Sequence, residues 1–214
     1  MWAEFACSAC QTPFASRYPL DGQGLCSLCR LGLPGYEGAY SYGFYEGPLR
    51  QLIQLFKFEG VPSLAHPLGR YLVRAVPRDR TFDVVVPMPL HWFRRWRRGF
   101  NQSELLAREV ARRLGLPLST RALGRQRHAA PQSGLTSAAR RRNVAGLFAV
   151  SDRKSIEGRR VLLVDDVLTT GATAQAAAHA LKRAGAAQVV VLTLARADRR
   201  EYVAVANHAA EGSR

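Results

Sequence analysis

The sequence predicts an α/β protein, a mainly parallel sheet with helices on both faces, preceded by a small four-cysteine ribbon. Three observations carry this. Strand-like and helix-like segments alternate along the second half of the chain. The strands are continuously apolar, as strands covered on both faces must be. The four cysteines all lie near the amino terminus, in two C-x2-C pairs. With 214 residues, 47% of them apolar and 22% charged, the chain is large enough to bury a core and too apolar to be disordered.

Cys7, Cys10, Cys26 and Cys29 have the spacing of a four-thiolate zinc site. Two cysteines three apart on a tight turn point at one tetrahedral ion, and the intervening loop brings in the second pair. Four thiolates leave no open position, so the expected Zn2+ is structural. Residues 1–35 are read as this ribbon, and Gly22, Gly24, Pro13 and Pro19 suit turns rather than a helix. The amino terminus has no basic stretch leading into an apolar one, and the best apolar run, "QVVVLTLA", is strand-sized. The expectation is a cytoplasmic protein with no membrane span, where disulfides are disfavoured.

Residues 36–204 are read as the main domain and 205–214 as a frayed tail. A Gly-, Tyr- and Pro-rich connector over 31–48 carries a strand around residues 39–44. "PLRQLIQLFKFEG" puts Leu49, Leu52, Ile53 and Phe56 on one helical face and stops at Gly60. Lys57 falls on the polar side of that helix, compatible with a pocket wall. "LAHPLGRYLVRAV" is a second, less regular helix. "FDVVVPMPL" is a buried strand stopped by two prolines, and "SELLAREVARRLG" a helix ended by Gly115. Strand "RRVLLVDD", small-residue helix "GATAQAAAHALKRAG" and strand "QVVVLTLAR" complete the alternation.

The chemistry points to "VLLVDDVLTTGAT", residues 161–173. A buried strand ends in Asp165 and Asp166, and a Thr/Gly loop then opens a helix. Ligands of open α/β sheets bind at such strand ends. Free N–H groups at a helix start suit phosphate, Thr169, Thr170 and Thr173 add hydroxyls, and Gly171 lets backbone approach closely. Two carboxylates would repel a bare phosphate, so the ligand must also bring donors, such as ribose hydroxyls, or Mg2+. One Asp can cap a helix, but this set exceeds what capping needs. The stretch has no Gly-Lys-Ser/Thr and no G-x-G-x-x-G, which argues against a P-loop and a dinucleotide fold.

These thirteen residues resemble the phosphoribosylpyrophosphate-binding motif of type I phosphoribosyltransferases. With the cysteine ribbon, "VVVPMPLHWFRRWRRGFNQSELLA" and "RQRHAAPQSGLTSAARRRNVAGLF", the resemblance extends to the ComF family of competence-associated phosphoribosyltransferase-like proteins. It implies that Asp165 and Asp166 meet the ribose 2′- and 3′-hydroxyls, and that Thr169, Thr170, Gly171, Ala172 and Thr173 bind the 5′-phosphate. Pro87, Met88, Pro89 and Leu90 would lie by the pyrophosphate, and residues from about 125 to 147 would form a flap over the site. Mg2+ and arginines would neutralise the departing pyrophosphate. Thr169 stands where enzymes acting on hypoxanthine or guanine carry an acid, which argues against purine salvage.

Net charge is +15, and residues 91–142 hold 13 basic and 2 acidic side chains. Such clustering implies a polyanionic ligand. Arg94, Arg95, Arg97 and Arg98, with Arg140, Arg141 and Arg142, are the candidates for pyrophosphate or nucleic acid. Trp92 and Trp96 between arginines suit a helical core stripe or stacking on unpaired bases. Asn101 and Glu104 form an N-terminal capping pattern after a bend at Gly99, with Phe100 as a packing residue. Two functions stay open: a Mg2+-dependent transferase with an unknown acceptor, and a competence protein that binds single-stranded DNA, works with DNA-uptake proteins and senses phosphoribosylpyrophosphate without turnover.

Overall fold

A computed structural model describes residues 4–14, 16–18, 20–32, 35–90, 99–125 and 147–197. The ribbon comes first. Strand β1 (Phe5–Ala6) pairs antiparallel with β2 (Pro13–Phe14), and the short helix α1 (Ser27–Arg30) follows a bridge between Leu20 and Cys26. The ribbon is not isolated: the Ala39 amide donates to the Cys10 carbonyl at 2.8 Å, and Cys7, Cys10, Phe14 and Cys26 share one buried cluster with Tyr36 and the main sheet.

Strand β3 (Gly38–Phe44) matches the strand expected within the connector. Helix α2 (Gly47–Phe58) buries Ile53 and Phe56, with Leu49 and Leu52 packed against the same cluster. A 3-10 turn (Pro62–Leu64) leads into α3 (Ala65–Ala75), and β4 (Val84–Pro87) and α4 (Gln102–Leu114) follow. Two short strands, β5 (Leu123–Arg125) and β6 (Phe148–Val150), pair antiparallel. Then come β7 (Arg160–Leu168), α5 (Ala172–Arg183) and β8 (Gln188–Arg196).

Among the described residues, β3, β8, β7 and β4 form one sheet in that order, every pairing parallel. The strands lack polar alternation because both faces are covered. Along β7, Val161 and Leu163 enter the cluster shared with the ribbon and α5, while Leu162 and Val164 enter the cluster of α2, α3 and α4. Five alanines of α5 are buried, which brings its backbone close to the sheet. At Gly69 a Cβ would meet that of Glu109 at 2.5 Å, so α3 and α4 cross at a contact only glycine permits.

Two features differ from the sequence reading. Strand β7 continues through the acids to Leu168, because β8 keeps pairing with it: Asp165 opposes Thr193 and Leu168 opposes Arg196. The β5–β6 hairpin was not anticipated. No helix among the described residues is long and apolar enough to cross a membrane.

Candidate functional site

The register explains where the two acids sit. Strand β4 pairs with β7 only as far as Pro87 opposite Val164. Asp165 and Asp166 therefore stand just past the carboxyl end of their neighbour, while β8 supports them from the other side. Their bordering turn is fixed twice. The Met88 amide donates to the Val164 carbonyl at 2.8 Å, and the Met88 carbonyl accepts from Asn101 Nδ2 at 3.1 Å. Pro87 and Met88 are buried and Pro89 and Leu90 half-buried.

Asn101 caps α4: its Oδ1 accepts from the Ser103 amide at 3.2 Å. Glu104 turns to Arg108 at 2.7 Å, so only half of the expected capping pattern is used. Phe100 packs on Phe56 of α2, with ring centroids 5.9 Å apart. The cap also aims Ser103, whose Oγ donates to Asp165 Oδ1 at 2.9 Å, as does the amide of Asp166.

The two carboxylates have unequal surroundings. Lys57 Nζ lies 2.9 Å from Asp166 Oδ1, with both side chains about five-sixths buried at 16% and 15% exposure. The backbone of Lys57 is held by Gln102, whose buried amide donates to the Lys57 carbonyl at 3.5 Å. Burial, and then repulsion from Asp166, push Asp165 up to about 7. One acid is thus an ion-paired carboxylate and the other shares a proton near neutral pH.

Past Leu168 the chain turns into α5. Gly171 caps the helix at φ +79, a conformation that disfavours a side chain, and is buried, while Thr169, Thr170, Ala172 and Thr173 are exposed. Thr170 Oγ1 accepts from the Ala172 amide at 3.3 Å. The loop presents hydroxyls and the free N–H groups of a twelve-residue helix beside the acids, which is the chemistry of a phosphate cradle.

The four cysteines converge: their sulfur atoms all lie within 4.8 Å of one another, and Cys10 and Cys26 are 3.8 Å apart. A tetrahedral ion with metal–sulfur bonds of about 2.3 Å requires sulfurs about 3.8 Å apart, so the set fits zinc and is too open for a disulfide. The Cys26 amide donates to Cys7 Sγ at 3.3 Å. Crowding splits the thiols: the hydrogen bond from Cys10 lowers Cys26 to about 5, whereas the same bond and burial raise Cys10, and burial pushes Cys29 up to about 12.

The structure sets Pro87 and Met88 beside the strand end that carries Asp165 and Asp166, with Thr169–Thr173 next along the chain, and separately gathers the four cysteines. Arg94, Arg95, Arg97, Arg98, Arg140, Arg141 and Arg142, and all of the expected flap of about 125–147 except its two end residues, lie outside the described residues. Ser103 and Gln102 carry in the sequence only the signal of a helix start, which does not reveal their partners Asp165 and Lys57. Lys57 was noted for its place on the helix, without its partner.

A parallel sheet with an acid pair and a Thr/Gly helix start at one strand end defines a type I phosphoribosyltransferase-like domain, and residues 101–212 match the family described as phosphoribosyl transferase domain. The allosteric regulatory enzyme of purine biosynthesis superposes with a TM-score of 0.47 at 22% identity, over 66% of this chain and 30% of that one. Competence protein F of Haemophilus influenzae is 36% identical over 208 residues, spanning 89% of this chain and 90% of that protein. The DNA utilization protein YhgH of Escherichia coli O157:H7 is 36% identical over 177 residues, 80% of this chain and 77% of that protein. The chain belongs to the competence protein F family.

Proposed function

We propose that this protein binds phosphoribosylpyrophosphate with Mg2+ at the carboxyl end of β7 and acts in DNA uptake and use. The observation that carries the ligand reading is the unequal pair Asp165 and Asp166 beside the Thr169–Thr173 cradle. In this reading the loop amides and hydroxyls take the 5′-phosphate. The acids accept the two ribose hydroxyls once Asp166 gives up Lys57 and Asp165 its proton. The 87–90 turn walls the pyrophosphate, and Arg94, Arg95, Arg97, Arg98 and Arg140–Arg142 supply cations around it. Mg2+, when bound, neutralises charge on the pyrophosphate. Turnover, if an acceptor enters, displaces pyrophosphate from the anomeric carbon through an oxocarbenium-like ribose.

The names of two relatives, a competence protein and a DNA utilization protein, support the second half of the proposal, as does the basic block over 91–142. In this second reading the arginines hold single-stranded DNA, and the phosphoribosyl ligand is sensed without turnover. The four thiols hold structural Zn2+, which suits a reducing compartment such as the cytoplasm. Calorimetry with phosphoribosylpyrophosphate and Mg2+ tests the ligand: binding abolished by Asp165→Asn with Asp166→Asn is expected, and no binding to the unaltered chain would refute it. Pyrophosphate release across a panel of nucleobases and amines separates transferase from sensor.

A further inference from the structure

Arg196 closes β8 at 8% exposure, and a buried guanidinium must find partners to offset its lost hydration. It finds them in two parts of the fold. On one side Nη1 donates to the carbonyl of Thr169, the first residue of the cradle, and reaches the Leu168 carbonyl at 3.5 Å. On the other the guanidinium lies 5.0 Å from the ring centroid of Phe14, in the second strand of the ribbon. The ribbon beside Phe14 is tied to a metal-ligand sulfur, for the Thr12 hydroxyl lies 3.0 Å from Cys10 Sγ. Phe14, Tyr36 and Cys10 belong to one buried cluster. Arg196 therefore touches both the backbone of the cradle and, at Phe14, the packed cluster that holds Cys10.

A phosphate cradle works when its carbonyls point away from the anion and its amides toward it. An arginine that grips the Thr169 carbonyl from beneath holds that peptide in one orientation and places a positive charge under the anion site. We propose that Arg196 is the positioning residue of this loop, and that the cysteine ribbon fixes Arg196 through Phe14, so that metal loading of the ribbon governs how well the loop binds phosphate. The proposal rests on the reading of residues 169–173 as the 5′-phosphate site.

Hydrogen exchange on the ligand-free, zinc-loaded full chain tests it directly. The amides of residues 169–173 are compared in the unaltered protein, in Phe14→Leu, in Arg196→Lys and after removal of the metal by a chelator under reducing conditions. Exchange about tenfold faster is expected in Phe14→Leu and in the stripped protein, with Arg196→Lys intermediate because lysine keeps the charge but not the fork. The amides of residues 84–86, on the far strand of the sheet, keep their rate, and Phe14→Leu keeps one metal per chain. Unchanged loop exchange overturns the proposal, and so does equal acceleration at 84–86, which would mean that the whole sheet loosens. Affinity for phosphoribosylpyrophosphate with Mg2+ should fall about tenfold in parallel. If the unaltered chain binds none, the ligand reading fails, while the exchange comparison still decides whether the ribbon sets the loop.

Discussion

Lys57 and Asp166 form an ion pair 2.9 Å long that joins the carboxyl end of α2 to the strand end of β7. It is shielded enough that the charge left behind by losing one partner is costly. Lys57→Met should lower stability by about 1–3 kcal/mol. Adding Asp166→Asn should recover part of the loss, giving a coupling of about 1 kcal/mol in a double-mutant cycle by chemical denaturation.

Asp165 links stability to pH. Its folded value of about 7 lies above the ordinary 3.8, so the unfolded chain ionises it first. The stability it contributes is complete below about pH 4 and is lost as pH rises through 7. Asp165→Asn removes the penalty and should stabilise the ligand-free protein at pH 8 by about 1–3 kcal/mol while abolishing ligand binding. Ligand binding at pH 6.5 should release a proton, seen as a buffer-dependent enthalpy that disappears at pH 8.5.

Asp83 works in the opposite sense at the other end of the sheet. Its carboxylate accepts from the Arg160 amide at 2.8 Å and from Arg160 Nε at 2.9 Å, and the hydrogen bonds from Arg160 hold it down to about 2. Its stabilising contribution is present above about pH 4 and is lost as pH falls toward 2. An NMR titration should find its midpoint near 2, returning toward the ordinary 3.8 in Arg160→Met.

Zinc should bind one per chain and release protons, because Cys10 and Cys29 hold theirs in the metal-free protein. The number released at pH 7 should stay below four, since Cys26 at about 5 is already a thiolate. Cys10→Ser should lose the metal and lower the unfolding temperature, both read on the same sample.

If the arginines carry DNA, salt will show it. Replacing Arg94, Arg95, Arg97 and Arg98 by Ala should flatten the slope of log affinity against log salt for single-stranded DNA by about 3, the value for four neutralised phosphates at roughly 0.7 each. An unchanged slope refutes the arginine arm.

The parts legible in the sequence are those written in local pattern. Continuous apolar runs marked β4, β7 and β8, the paired C-x2-C spacing marked the ribbon, and the Asp-Asp-x3-Thr-Gly order marked the strand end. What pattern misses is partnership across the chain. Ser103 reaches Asp165 from 62 positions away, and a serine at a helix start reads as a capping residue. Lys57 is polar on the polar side of its helix and needs the sheet to meet Asp166. Strands β5 and β6 are three residues each, too short for any periodicity.

That short pair of strands also offers a splice point. Arg125 and Phe148 are paired neighbours, so the two ends that flank residues 126–146 stand close together. A tight turn of two or three residues spliced in place of 126–146 would join the same two strands without stretching either. Cut this way, the protein keeps Asp165, Asp166 and Thr169–Thr173, and what they bind can be assayed apart from residues 126–146.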